Sequence, residues 1–364
     1  MLVTTTVSII AIIFAYISQF KSKGKFYEIG FLLLTIIAAI QYGYGTDYLS
    51  YYELWEVRYG SRDVKDLLEN FFNQTDWTEP GWMVLNALFG FKNGFFVLVA
   101  LISVVENYIY YRLIKDYVPV KWRWFAVFLY VGMDSLYLLN FSMLRQGLCV
   151  ALFVGAVLLM NKKKLLPAIA VIIFALTIHL SSAVCVPFIA LYFLPLKRSN
   201  IVAIMLLLFT FIIFVFKDVV ISGLKMVYAL EELGKYSGYS SKTLSGVGLG
   251  YVIKMIPNIV ILYVLFTDKL KSKELNVVAL LAFCDMLITP LQFYGADMAG
   301  RLGVYFIAFK VAAIPLVYSI IKDKGLRLAL VLIMIFITSY LYIQFFQGYE
   351  GGYQEGYKTI FSVL

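Results

Sequence analysis

Runs of apolar residues, each broken from the next by a short polar knot, set the pattern of this chain. Crossing a bilayer as a helix takes about 20 apolar residues. Windows of that kind lie at 2–20, 28–44, 94–114, 124–141, 144–160, 165–180, 183–196, 201–221, 251–267, 275–293, 302–321 and 328–346, and they predict twelve helices. The window at 183–196 is the shortest of these. The opening stretch, MLVTTTVSIIAIIFAYISQF, has no basic leader and no small-residue cleavage site, so it is read as the first span. The expected fold is all-α, a polytopic integral membrane protein of about 12 transmembrane helices forming a single domain over residues 1–364.

Composition supports the pattern. Hydrophobic residues make up 62% of the chain and charged ones 15%, with a mean hydropathy of +0.85, and a soluble domain of this size has no interior large enough for so much apolar surface. The net charge of +9 invites a nucleic-acid partner, but the basic residues come in small knots between apolar runs and act as topology signals. Lys21, Lys23 and Lys25 follow the first span; Arg112, Lys115, Lys121 and Arg123 the third; Lys162 to Lys164 the fifth. Lys197 and Arg198 follow the seventh, Lys269, Lys271 and Lys273 the ninth, and Lys322, Lys324 and Arg327 the eleventh. These six loops hold 18 of the 31 Lys and Arg but five of the 22 acids. The positive-inside rule assigns them to the cytoplasm and both termini to the outside.

The longer loops, at 45–93 and 222–250, and the tail at 347–364 then fall on the outer side. No cytoplasmic loop is long enough for a nucleotide-binding domain and no Gly-rich phosphate loop is present, which argues against nucleotide-driven chemistry on the inner face. Cys149, Cys185 and Cys284 lie inside apolar segments without ligand spacing and read as packing residues.

The chemistry-bearing residues gather at the outer ends of the spans. The only histidine, His179, stands where one apolar run ends, in FALTIHLSSAVCVPF. Arg145 and Gln146 open a span in LNFSMLRQGLCVALF, and Arg301 opens another in YGADMAGRLGVYFIAF, with Asp297 before it. The first outer loop adds Asp47, Glu53, Glu56 and Glu79, and within it Met83 to Phe91 is expected to form an interfacial or re-entrant helix. A snorkelling anchor is the bland role for each arginine, and a hydrogen-bonded helix end the bland role for His179. Against that, both arginines stand outside the basic loops, and a guanidinium fork suits phosphate oxygens. Glu106, Asp134, Asp285 and Lys310 fall within spans, where ionisable groups are costly and face the bundle interior or a water-filled cavity. Asp285 is the expected partner of Lys310.

Six blocks, YGYGTDYLSYYELW, TEPGWMVLNALF, FSMLRQGLCVALFVGAVLL, IHLSSAVCVPF, GRLGVYF and GYKTIF, resemble in that order the EpsG-like family of polysaccharide polymerases, a branch of the Wzy-type polymerases. The tail QGYEGGYQEGYKTIF is richer in Gly and Tyr than that family's pattern. The resemblance implies an enzyme of the bacterial cytoplasmic membrane, similar in architecture to the all-helical, GT-C-like lipid-linked glycosyltransferases. Such an enzyme transfers a growing glycan from undecaprenyl diphosphate to the next lipid-linked repeat unit on the outer leaflet, in O-antigen, capsule or exopolysaccharide assembly. Its implied partners are the lipid-linked donor and acceptor, membrane lipids, a chain-length regulator and a flippase; no nucleic acid is expected.

Such a transfer needs charge stabilised on the leaving diphosphate and a proton removed from the acceptor hydroxyl. Arg145, with Gln146 beside it, and Arg301 supply the first by preorganised electrostatics, so no metal and no cofactor is expected. For the base there are two assignments. His179 is one, since an unperturbed imidazole titrates near neutral pH; Asp47 or Glu79 is the other, leaving His179 to orient a phosphate. A lipid-linked oligosaccharide flippase and an integral membrane acyltransferase are the rival functions. The first calls for two similar halves, which the chain does not display; the second calls for donor-binding features on the cytoplasmic side.

Overall fold

The computed structural model describes residues 1–21, 24–59, 65, 69, 72–73, 79–133, 136–194, 199–216, 218–220, 222, 249–267, 269–270, 272–288, 297–348 and 356–363 of the chain. Among the sequence-flagged positions, Lys23, Asp134, Lys197, Arg198, Lys271 and nearly all of the loop 222–250 lie outside the described residues. Two compact units divide the chain, the first formed by Met1–Val186 with Ile335–Leu364 and the second by Pro187–Met334.

In the first unit the chain runs through α1 (Leu2–Ile17), α2 (Phe26–Ala39), strand β1 (Gln41–Tyr42) and α3 (Tyr48–Leu54), which continues as a π-helical turn at Trp55–Tyr59. It goes on through α4 (Pro80–Leu88), α5 (Gly94–Tyr117), α6 (Arg123–Gly132), α7 (Leu136–Ser142), α8 (Leu144–Asn161) and α9 (Leu165–Ile178). A 3-10 turn at Leu180–Val184 leads into α10 (Cys185–Phe193), which the boundary between units divides. The second unit carries α11 (Ser199–Val215), α12 (Leu249–Phe266), α13 (Lys273–Phe283) and α14 (Asp297–Ile320). Helix α15 (Lys324–Gly348) is likewise divided, and strand β2 (Lys358–Thr359) closes the first unit.

Each of the twelve apolar windows contains a helix. Helices α5 and α8, with Gly300–Ile320 of α14 and Lys324–Gln347 of α15, are long and apolar enough to cross a membrane. The pair Val120–Gly132 and Leu136–Ser142, bent by 41°, makes a fifth span if taken as one. The chain is therefore a membrane protein whose described regular structure is helical apart from one strand pair. Some windows overshoot their helices. That at 28–44 ends as helix at Ala39, because Gln41 and Tyr42 leave to pair with β2 and Gly43 and Gly45 follow with φ of 63° and 119°, values that glycine adopts without a Cβ penalty.

Small residues let the helices of the first unit approach closely, as is usual where lipid removes the hydrophobic drive between helices. The buried face of α1 is Thr4, Ser8, Ala11 and Ala15, one residue per turn, and Gly30 of α2 lies against Ala11. Tyr27 and Tyr137 donate their hydroxyls to the carbonyls of Tyr111 and Leu34, joining α2 to α5 and α7. A buried chain from Asn140 to Tyr130 to Asn107 links α7, α6 and α5, and the carboxyl of Glu106 is enclosed beside it with no exposure. Helices α8 and α9 form a hairpin in which Lys163, at φ 59°, is the left-handed residue after the helix and donates to the Met160 carbonyl.

In the second unit α13 packs on α14, and α12 packs on both. Lys310 of α14 donates to Asp285 at 2.5 Å with both side chains buried, which is the pairing expected from the sequence.

Candidate functional site

Glu79, Arg145 and His179 meet in the first unit, and the reason begins with the tripeptide Glu79-Pro80-Gly81. Proline disfavours a helical conformation in the residue before it, and Glu79 is extended (φ −62°, ψ 134°) as the N-cap of α4. Pro80 occupies the first helical position, where its fixed φ and missing N–H carry no penalty. Gly81 then lets α4 lie flush on the end of α9. A Cβ there would collide with Thr177 Oγ1 and stand 2.8 Å from the Thr177 carbonyl carbon. That contact delivers the Glu79 carboxylate to the residue two places after Thr177.

That residue is His179. It caps α9 in an extended conformation (φ −154°, ψ 118°), its N–H bonded to the Ala175 carbonyl, so the ring turns out of the helix line. Both the N–H and the hydroxyl of Ser182 donate to the His179 carbonyl, at 3.0 and 2.8 Å. His179 Nδ1 lies 3.3 Å from Glu79 Oε1, and the Leu180 N–H reaches the same oxygen at 3.5 Å.

The other carboxylate oxygen is taken by Arg145, whose terminal nitrogen donates to Glu79 Oε2 at 2.6 Å. Arg145 stands in the first turn of α8, behind the N-cap Met143. Its guanidinium lies over the Tyr51 ring at 5.5 Å, and its Nε reaches the Tyr51 hydroxyl at 3.5 Å. The Tyr51 ring meets buried Trp82 edge to face at 5.7 Å. Side-chain exposures of 12% for Glu79, 10% for His179 and 26% for Arg145 make the cluster sheltered but reachable. Burial alone pushes the Glu79 carboxyl up, but the His179 hydrogen bond, the Arg145 charge and its own backbone N–H outweigh it and lower it to about 2. Glu79 is an anion at any working pH and a feeble proton acceptor, suited to holding a charged arginine and a fixed imidazole tautomer.

Asp47 belongs to the same neighbourhood. Its N–H donates to Ser142 Oγ at 3.0 Å, three residues before Arg145, and its carboxylate accepts from the Thr46 hydroxyl at 2.9 Å. Gly45 makes this approach possible, since a Cβ there would meet Ser142 Cβ at 2.5 Å. Gln146 is buried at 3% exposure, within the bundle. Glu53 and Glu56 are exposed along α3 and the turn after it. Arg301 lies in the second turn of α14, partly exposed, in the other unit. The helix expected at Met83 to Phe91 is α4, which runs from Pro80 to Leu88.

Tyr51, Trp82 and Ser142 support the cluster and were not singled out as individual residues by the sequence. Trp82 is 1% exposed, so its ring serves the frame.

Searches of curated proteins and of solved structures each give no match for the chain. The EpsG family profile, in contrast, aligns with residues 24–358, a stretch that takes in Asp47, Glu79, Arg145, His179 and Arg301. On that match the chain belongs to the EpsG family.

Proposed function

We propose that this EpsG-family protein is a metal-independent polysaccharide polymerase of the bacterial cytoplasmic membrane, with twelve spans, both termini outside and its site at the outer face. It transfers the growing glycan from undecaprenyl diphosphate to the next lipid-linked repeat unit. Family membership supports a polysaccharide-polymerase-like role. The observation that carries the chemistry is the Arg145–Glu79–His179 cluster, a base held by an acid beside a cation.

In this reading ionised Glu79 accepts a hydrogen bond from the Nδ1–H of His179 and so leaves the Nε2 lone pair for the acceptor. The acceptor hydroxyl oxygen attacks the anomeric carbon of the donor sugar, and the bond from that carbon to the diphosphate oxygen breaks. The hydroxyl proton passes to Nε2, and Glu79 stabilises the imidazolium. The diphosphate leaves with the bonding electron pair, its added charge met by Arg145, with Gln146 supporting the turn that carries it; Arg301 is a separate candidate for binding diphosphate. Imidazolium then returns its proton to solvent or to the departing diphosphate. Asp47, partly exposed beside Ser142, is the rival base. Its partners in the membrane would be the lipid-linked donor and acceptor, with a flippase and a chain-length regulator.

The test is polymer length in the host with its chromosomal copy deleted and variants supplied at equal protein level. Arg145→Lys and Arg301→Lys keep the charge and lose the fork, and each should leave mostly single repeats. Near-normal polymer from both would reduce the arginines to anchors and remove the support for diphosphate chemistry. Loss in Asp47→Asn with retention in His179→Gln would move the base to Asp47.

A further inference from the structure

The buried Gln41 ties the end of α7 to its own loop, which leads on to Asp47. Its Nε2 donates to the Phe141 carbonyl at 3.1 Å, its Oε1 accepts the Tyr44 N–H at 3.2 Å, and its own carbonyl accepts the Tyr48 hydroxyl at 3.2 Å. Phe141 and Ser142 are the last residues of α7, and Ser142 in turn takes the Asp47 N–H. Met143 follows as the N-cap of α8, two residues before Arg145. One side chain therefore fixes both strands of the frame from which the Arg145 helix starts.

Gln41 is itself held from the far end of the chain. It pairs with Thr359, and Tyr42 pairs with Lys358, in the antiparallel β1–β2 pair. A two-residue pair is too short to persist unaided. On one side Ile360 N–H donates to the Ile40 carbonyl at 2.9 Å; on the other the Tyr357 hydroxyl donates to the Ile37 carbonyl at 2.6 Å. The Tyr357 ring packs edge to face on Tyr44, whose hydroxyl meets Thr4 on α1 at 3.2 Å. All of these residues belong to the first unit.

We infer that Gln41 and the C-terminal clasp at residues 357–360 are positioning elements for Arg145, acting through the Phe141–Ser142 turn. The inference rests on the proposed role of Arg145 at the diphosphate. A buried amide with both ends committed has no substitute in an apolar side chain, because the Phe141 carbonyl and Tyr44 N–H would be left without partners. The clasp keeps the backbone of Gln41 in register, so loosening it acts on the same turn.

Two variants probe the two links. Gln41→Met keeps the volume and removes the amide. Ile360→Pro removes the N–H given to Ile40 at a site that suits proline, since Thr359 before it is already extended (φ −113°, ψ 157°) and a helical turn begins there. Polymer yield per molecule is measured in the host lacking its own copy. Each variant should lose about tenfold or more, equivalent to about 1.4 kcal/mol in the barrier, and Ile360→Ala, which keeps the N–H, should lose less than Ile360→Pro. In an Arg145→Lys background, read on its residual activity, neither should cost anything further, because a double-mutant cycle reports their shared route. Wild-type yield from both variants, or the same fractional loss in both backgrounds, would overturn the inference. If one variant fails to accumulate the other decides, and failure of both would show that the clasp serves folding only. A fully active Arg145→Lys single variant would instead overturn the function on which the inference stands.

Discussion

Glu79 and His179 are 100 positions apart in sequence, yet a carboxylate oxygen of the first lies 3.3 Å from Nδ1 of the second. The contact joins the N-cap of a short interspan helix to the C-cap of an apolar one. Both residues are at helix ends, where side chains leave the helix surface and backbone groups need partners. The same carboxylate holds Arg145 at 2.6 Å, so one acid sets the position of both groups that the proposed transfer requires.

Glu79→Gln should therefore lower polymer formation by about a hundredfold or more, the usual scale for loss of acid–base function, at unchanged protein level. It also carries a pH signature. The folded carboxyl is lowered from 4.5 to about 2, so its contribution to stability is complete above about pH 4.5 and is lost as pH falls toward 2. Thermal melts of purified protein should show wild type above Glu79→Gln at neutral pH, with the gap closing between pH 4.5 and 2. A gap that stays constant would show that Glu79 is not held as an ionised partner.

Gly81→Ala should separate α4 from α9. The added methyl would meet both the Thr177 hydroxyl and the Thr177 backbone, and overpacking of this kind costs about 1–3 kcal/mol. Activity should fall at least tenfold, and Thr177→Ala should not restore it, because the backbone carbon at 2.8 Å remains. Melting temperature and polymer length together check this.

The Lys310–Asp285 pair is expected to act on folding. Asp285→Asn strands a buried ammonium and should destabilise by about 3–5 kcal/mol, whereas Asp285→Leu with Lys310→Met removes both charges and should recover much of the loss. Accumulation in membranes and thermal melts of the purified variants are the readouts. Equal instability in the double variant would point to a polar role for the pair.

Orientation is tested with single cysteines in a background lacking Cys149, Cys185 and Cys284, which are all buried. An impermeant thiol reagent on intact cells should label Ser61→Cys and Ser240→Cys and spare Ser272→Cys. Labelling at Ser272→Cys alone would reverse the orientation.

Helix positions were legible because periodic apolar windows are a strong signal, and the breaks were less so. The window at 28–44 runs beyond Ala39, and the helix stops where Gln41 and Tyr42 pair with the tail strand at Lys358 and Thr359. The site was legible as parts. Glu79, Arg145 and His179 each stood out in their own segments, but their meeting depends on the close approach of α4 to α9. The available signal was Glu-Pro-Gly itself, a helix start followed by a glycine in the first turn, where any other residue would strengthen the helix. Glycine there marks a backbone contact, though not its partner. The clasp falls in the block GYKTIF, but its short strands carry no alternation to read, so its partner at Gln41 and Tyr42 was not legible.

The central claim is that His179, held by Glu79, takes the acceptor proton. The most direct measurement is turnover by purified protein in lipid nanodiscs, supplied with lipid-linked repeat units extracted from the host and followed by product length. His179→Gln keeps a hydrogen-bonding side chain but no group that accepts a proton at neutral pH. It should accumulate to wild-type level, melt within a few degrees of wild type, and leave single repeats at under about 1% of the wild-type rate. Long polymer at close to the wild-type rate would contradict the account.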